Sequence, residues 1–185
     1  MPFVETPIKD LKIFEPRQFS DDRGYFFESY NQELFKQAGI QRNFVQDNES
    51  KSAFGTIRAL HYQIEPFAQA KLVRVVKGKV LDVAVDLREN SSTYGQHFSI
   101  LLSEENKTQI FIPRGFAHGF VALEEDTIFV YKCDNFYSKD HEGGIIYNDP
   151  TFNIDWQVAK DQIRLSDKDL LLPQLGKHKG FSSYK

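Results

Sequence analysis

The chain has 185 residues, a length that predicts one domain over residues 1–185 with room for a sizeable core. Lys and Arg number 23 against 26 Asp and Glu, and the formal charge of −3 gives no electrostatic case for a nucleic acid or an anionic membrane as partner. An apolar content of 41% argues against disorder, the single cysteine rules out an intrachain disulfide, and no signal peptide or membrane-length apolar run is legible, so a soluble cytoplasmic protein is expected.

In chain order, Gly24–Tyr30 (GYFFESY) reads as a strand. Asn31–Ala38 reads as a helix, with Asn31 as N-cap, Glu33 in the first turn and Gly39 as the stop. Strands follow at Thr56–Gln63, Lys71–Val76 and Val80–Leu87. The last two flank Lys77-Gly78-Lys79, which reads as a hairpin turn. Within Val80–Leu87, Leu81, Val83, Val85 and Leu87 alternate with Asp82, Ala84 and Asp86. Gln96–Leu102, Gln109–Ile112, Gly119–Leu123 and Thr127–Cys133 continue the series. Ser166–Leu171 reads as the start of a short helix with Ser166 as N-cap and Asp169 at N3, and Gly176–Lys185 as a loose polar tail. Many short strands predict an all-β sandwich or barrel with a few short helices. Aromatic residues reach 14%, which suits both pleated surfaces and the stacking of flat ligands; composition alone does not separate the two.

Five histidines are the first candidates for chemistry near neutral pH. His178 sits in the polar tail and reads as idle, while His97 and His141 lie in polar surroundings. His61 and His118 lie inside apolar strand segments, where a lone histidine is more often a satisfied core residue than a catalyst. Their neighbourhoods add information. Gly55 to His61 has the Gly-x5-His spacing of a first cupin motif, and Pro113 to His118 has the Pro-x-Gly-x-x-His spacing of a second. A metal cupin would place a second histidine two residues after His61 and a glutamate further on. Gln63 stands there instead, and Glu65 comes too early, so too few ligands remain and no metal is expected.

From Phe14 to Leu172 the chain resembles the dTDP-4-dehydrorhamnose 3,5-epimerase family. The segments that carry the resemblance come in order. They are Asp22-Arg23-Gly24 with Phe27-Glu28, Phe44–Asn48 (FVQDN), Ile57–Gln63 (IRALHYQ), Gln69–Val73 (QAKLV) and Val83–Arg88 (VAVDLR). Pro113–Phe120 (PRGFAHGF), Val130–Cys133 (VYKC), Asn148-Asp149-Pro150, Ile154-Asp155-Trp156 and Leu165–Asp169 (LSDKD) complete the set. One departure is Ala59, where the family more often has glycine.

The resemblance implies a cupin-like jelly roll and inversion of C3 and C5 in a 4-keto-6-deoxyhexose joined to dTDP. Both carbons flank the C4 ketone, so a base, an acid on the opposite face and positive groups near O4 suffice, with no metal and no redox cofactor. By the same resemblance His61 is the base, Asp169 its orienting partner and Tyr131 the acid. Lys71 and Arg58 match positions near the sugar and O4, and His118 matches a further hydrogen-bonding position. Arg23 matches a diphosphate contact, Glu28 and Gln46-Asp47-Asn48 match nucleotide contacts, Tyr137 the residue that stacks on thymine, and Glu142 and Lys168 further ligand contacts. A homodimer in which the partner completes the site is implied as well. Read without the resemblance, Asp169 is a helix-start carboxylate, Tyr131 a core tyrosine, and Gln46–Asn48 a polar loop. One geometric difficulty stands: Arg58 and His61 are three apart, so strict alternation sends them to opposite faces unless the strand bulges between them. A single-centre epimerase, a metal cupin and a non-catalytic sugar-nucleotide binder are the rival readings.

Overall fold

Thirteen strands and two short α-helices occupy residues 2–181, the part of the chain that this computed structural model describes. The six-stranded sheet runs β1 (Phe3–Glu5), β2 (Lys12–Phe14), β10 (Gln109–Ile112), β7 (Lys71–Lys77), β12 (Thr127–Cys133) and β5 (Gln46–Ser52). The five-stranded sheet runs β13 (Glu142–Gly144), β6 (Ile57–Gln63), β11 (Phe116–Ala122), β8 (Lys79–Asp86) and β9 (His97–Ser103). A separate ribbon joins β3 (Gln18–Asp21) to β4 (Gly24–Phe27). The helices are α1 (Gln32–Gln37) and α2 (Asp167–Leu170). All pairings within the sheets are antiparallel, and neither sheet closes on itself, so the architecture is an all-β sandwich.

Side-chain alternation sorts the apolar residues into three clusters. Between the sheets, Val73, Val75, Ile110, Ile112 and Phe129 meet Val80, Ala84, Leu102, Phe116 and Phe120. Phe120 and Phe129 stack with centroids 4.3 Å apart, joining the two sheets at the floor of the sandwich. The far side of the five-stranded sheet packs Leu81, Val83, Val85, Ala117 and Val121 against Ile145, Phe152 and Trp156 from the C-terminal segment. The far side of the six-stranded sheet packs Phe14, Leu72 and Phe111 against Phe35 and Ile40 around α1. Each of these large side chains contributes about 1.5–3 kcal/mol by leaving water. Because β8 is covered on both faces, Asp82 and Asp86 are fully buried rather than solvated.

Both helices have the caps that the sequence predicts. Asn31 Oδ1 accepts from the backbone N–H of Glu33 and Leu34 at 3.0 and 3.2 Å, and Gly39 ends α1 with φ 82°. Ser166 Oγ accepts from the Asp169 N–H at 3.2 Å.

Three expectations need correction. Lys77-Gly78-Lys79 is not a hairpin turn, because β7 and β8 belong to different sheets; Gly78, at φ 78°, turns the corner between them. A Cβ there would come 2.5 Å from Thr127 Oγ1, and Glu104 pins the corner through Gly78 N–H and C=O. The strand expected over Gly24–Tyr30 ends at Phe27 and belongs to the exposed ribbon. The tail is docked as far as Phe181: the Tyr62 hydroxyl donates to Lys179 C=O at 2.6 Å, and the Phe181 ring lies 4.9 Å from that of Tyr62. His178 is part of this docking, since its ring meets that of Tyr62 edge-on with centroids 6.2 Å apart. The rest of the expected loose tail, residues 182–185, lies outside the described residues.

Candidate active site

A cavity of about 360 Å³ opens between the sheets, and nine of the expected site residues line it: Arg58, His61, Lys71, His118, Tyr131, Tyr137, Glu142, Lys168 and Asp169. His61 and His118 come from the five-stranded sheet, Lys71 and Tyr131 from the six-stranded sheet. A molecule held between them meets different chemistry on its two faces.

The bulge that Arg58 and His61 require is present. His61 pairs with His118 and Arg58 with Phe120, so three steps along β6 match two along β11. Ala59 and Leu60 both turn outward into the apolar cluster, which leaves Arg58 and His61 on the inner side. Gly119 makes room for the bulge. A Cβ at that position would lie 2.5 Å from Ala59 Cβ, 2.7 Å from Ala59 Cα and 2.8 Å from Arg58 C=O.

His61 Nε2 lies 2.7 Å from Asp169 Oδ1. Burial alone would raise the Asp169 carboxyl, but the bond and charge of His61, the Ser166 contact and Lys168 outweigh it and hold the group below the usual carboxylate range. An ionised Asp169 only accepts, so the proton between the two groups belongs to His61 Nε2, which leaves Nδ1 as the ring nitrogen turned away from Asp169. α2 makes this meeting possible, because its N-cap at Ser166 sets Asp169 in the first turn, facing β6.

On the opposite wall, burial pushes the Tyr131 hydroxyl up, nearby Cys133 adds to this and Arg58 partly offsets it. Tyr131 therefore presents a neutral O–H donor at physiological pH. Burial lowers the Lys71 ammonium, countered in part by Cys133, Asp82 and Glu142, and Lys71 Nζ lies 5.7 Å from the Tyr131 ring centroid. Arg58 reaches from β6 across to β5, where Nε donates to Ser52 Oγ at 3.2 Å, so it bridges the two sheets at one side of the cavity.

His118 has a carboxylate of its own, which the sequence reading passed over. Its Nε2 lies 2.8 Å from Asp82 Oδ2, and the two side chains are 7% and 0% exposed. The other Asp82 oxygen is buried with no hydrogen-bond partner. The signal was available in the sequence: an aspartate in the middle of an apolar strand is costly to bury unless it is paired. Two His–Asp pairs thus stand side by side on adjacent strands. Among the described residues no group of three or more His, Cys, Asp or Glu side chains is placed to hold a metal ion.

At the rim, Glu142 Oε2 accepts from the Tyr137 hydroxyl at 3.2 Å and from Lys168 Nζ at 2.6 Å. The remaining expected residues do not reach the cavity within this chain. Arg23 sits at the tip of the β3–β4 ribbon, 85% exposed and paired with Asp21. Glu28 follows the ribbon and accepts from Asn31 Nδ2 at 3.2 Å. Asp47 faces outward on β5, where Lys132 Nζ contacts it at 2.9 Å. Asp47 and Asn48 border a separate cavity of about 330 Å³, and Asn48 Nδ2 also lies 3.7 Å from Cys133 Sγ. Gln46 touches the site indirectly, since its Oε1 accepts from Tyr137 N–H at 3.2 Å. Ser50, Gln63 and Gln69 line the cavity without having been singled out from the sequence.

A family profile described as dTDP-4-dehydrorhamnose 3,5-epimerase matches residues 5–177. A curated relative of that name from Pseudomonas aeruginosa is 55% identical over 170 residues, which is 91% of this chain and 93% of the relative. The crystal structure of a dTDP-4-dehydrorhamnose 3,5-epimerase from Elizabethkingia anophelis is 51% identical and superposes with a TM-score of 0.90 over 94% of this chain and 96% of that one. A dTDP-6-deoxy-D-glucose-3,5-epimerase from Legionella pneumophila, solved in complex with dTDP-4-keto-L-rhamnose, is 45% identical with a TM-score of 0.91 over 95% of this chain and 93% of that one. On sequence, fold and coverage together, the chain belongs to the dTDP-4-dehydrorhamnose 3,5-epimerase family.

Proposed function

We propose that this chain inverts C3 and C5 of dTDP-4-dehydro-6-deoxy-D-glucose, giving dTDP-4-dehydro-L-rhamnose on the route to dTDP-L-rhamnose and cell-surface polysaccharide. The observation that carries the reading is the His61–Asp169 pair on one wall of a cavity whose other wall presents Tyr131 and Lys71. His61 Nδ1 takes the proton from the carbon next to the ketone. The electron pair moves to O4, and Lys71, Arg58 and His118 stabilise the charge that develops there. Tyr131 returns a proton from the opposite face, which inverts the centre. Once His61 has passed its proton to solvent and Tyr131 has regained one from solvent, the same groups act on the second carbon. General acid–base catalysis by each group accounts for about 10²–10⁴-fold in rate. No step calls on a redox cofactor or a metal.

Tyr137 is the platform for the thymine ring, with Glu142 and Lys168 at the same rim. Arg23 and Glu28 belong to the nucleotide end of a second copy's cavity, in a homodimer. Two observations support this. Arg23 and Glu28 lie away from their own cavity, and the ribbon that carries Arg23 exposes Phe19, Tyr25 and Phe26 at 52, 56 and 69%. The reading is of one domain acting in the cytoplasm; among the described residues no helix is long and apolar enough to cross a membrane.

Incubation of chelator-treated protein with dTDP-4-dehydro-6-deoxyglucose in heavy water, followed by NMR of the sugar, tests the reaction. Deuterium at both C3 and C5 with formation of the L-rhamno product is the expected result. Deuterium at one carbon alone would make the chain a single-centre epimerase, and no exchange until a metal is added would overturn the acid–base reading.

A further inference from the structure

We propose that Gln63 is a positioning residue, the central member of a clamp of three glutamines that fixes the loop carrying Tyr137 relative to the strand carrying His61. This rests on the reading of Tyr137 as the nucleobase platform and says what holds that platform in place.

Beyond the end of β12 at Cys133 the chain leaves the sheet, and the backbone groups of residues 135–138 are met by side-chain amides instead of a ladder. Gln69 Nε2 donates to Asn135 C=O at 2.8 Å. Gln63 Nε2 donates to Phe136 C=O at 3.1 Å, and Gln63 Oε1 accepts from Ser138 N–H at 2.6 Å. Gln46 Oε1 accepts from Tyr137 N–H at 3.2 Å, and Phe136 N–H turns back onto the Oδ1 of Asn135. Apolar packing does little for this loop, since Phe136 and Tyr137 are 60 and 55% exposed. Its conformation is therefore set by hydrogen bonds, these together with those from Asn135 Nδ2 to Pro66 and Ala68 C=O and from His141 N–H to Ser138 C=O.

Gln63 is the member that links the loop to the reaction. It is 4% exposed and two residues from His61 on β6. Its Nε2 also donates to Phe67 C=O at 2.6 Å, so both amide donors are engaged and none is left for a ligand, although the side chain borders the cavity. Directly opposite Gln63 in the β6–β13 ladder is Glu142, which receives the Tyr137 hydroxyl. One cross-strand pair thus brackets Tyr137, through Gln63 on the backbone of its neighbours Phe136 and Ser138 and through Glu142 on its hydroxyl.

Titration calorimetry with dTDP on Gln63→Leu, Tyr137→Ala and the double variant tests the clamp, alongside steady-state kinetics. Gln63→Leu keeps the volume and removes all three bonds; it is expected to raise the dTDP Kd and the KM about tenfold while kcat falls less than about threefold. The double variant is expected to bind no more weakly than Tyr137→Ala alone, because the clamp acts through Tyr137. Gln63→Met, which keeps the length of the side chain and removes the same three bonds, is expected to match Gln63→Leu and serves where Gln63→Leu does not fold. Additive losses in the double variant, or wild-type dTDP affinity in both Gln63 variants while Tyr137→Ala binds weakly, would overturn the clamp alone. Wild-type affinity in Tyr137→Ala would overturn the platform reading and the clamp with it.

Discussion

Gly119→Ala probes the link between backbone packing and the aim of His61, the proposed catalytic base. The added methyl would sit 2.5 Å from Ala59 Cβ, 2.7 Å from Ala59 Cα and 2.8 Å from Arg58 C=O. Carbon atoms in contact prefer about 3.5–4.0 Å, so the bulge of β6 has to retreat by about 1 Å. Two of the three clashing atoms are backbone, so a rotamer change cannot relieve them. Overpacking of this kind costs about 1–3 kcal/mol, or about 2–12 °C in Tm for a chain of this size. The larger effect falls on turnover, because His61 follows the bulge directly, and a misplacement of about 1 Å costs on the order of 10²-fold. Thermal unfolding and deuterium exchange at C3 and C5 read the two effects separately. Ala59→Gly added to Gly119→Ala removes only the Cβ–Cβ clash and is expected to recover part of the loss. A Gly119→Ala protein with lowered Tm and wild-type exchange would show that the bulge does not aim the base.

Asp169→Asn is expected to lower turnover by about 10²–10⁴-fold, measured as deuterium exchange, since the amide no longer fixes the His61 proton on Nε2. Because the folded-state Asp169 carboxyl lies below its ordinary value, its stabilisation is present above the unfolded pKa of about 3.9 and is lost as pH falls through the lower folded value. The Tm gap between wild type and Asp169→Asn is therefore expected to narrow below about pH 4, and a gap that widens there would refute the assignment. Asp82→Asn is expected to reduce kcat while leaving the Kd of dTDP unchanged, because Asp82 touches His118 and not the rim; calorimetry showing weakened dTDP would contradict this. Burial pushes the Cys133 thiol up to about 11, so iodoacetamide at pH 8 is expected to label the protein only after denaturation, as read by mass spectrometry.

The parts of the fold that were legible in the sequence are those where one face is apolar. β6, β8, β10 and β12 announce themselves through Ile, Leu, Val and Phe, and both helices through their caps. β5 was not legible because it has no apolar face. Gln46, Asn48, Ser50 and Ser52 face inward, Asp47, Glu49 and Lys51 face out, and the alternation of polar with polar reads as a loop. The corner at Gly78 was misread for a related reason: two apolar arms around a glycine look the same whether they pair or part into separate sheets. The bulge in β6 was legible only as a requirement, since nothing in Ala59-Leu60 signals it; its cause is Gly119, nearly sixty positions along the chain. The apolar setting of Asp82 signals a buried partner without naming His118, and nothing local in Gln63 points to the Tyr137 loop, because both partners are distant in sequence.

The polar inner face of β5 and the apolar core of the sandwich serve the same end. A sandwich packed with aliphatic side chains along its whole length would leave no room for a sugar between the sheets. Here the stack of Phe120 on Phe129 marks where the packed core stops and the cavity begins, since both rings line it. Past that boundary the inward positions change character on both sheets at once: His118 precedes Phe120 on β11, Tyr131 follows Phe129 on β12, and Lys71 precedes Val73 on β7. On the proposed reading, a sugar ring between the sheets has His61 toward one face and Tyr131 toward the other. Inversion on that reading needs no movement of the substrate between losing a proton and regaining one, because the two groups come from opposite sheets.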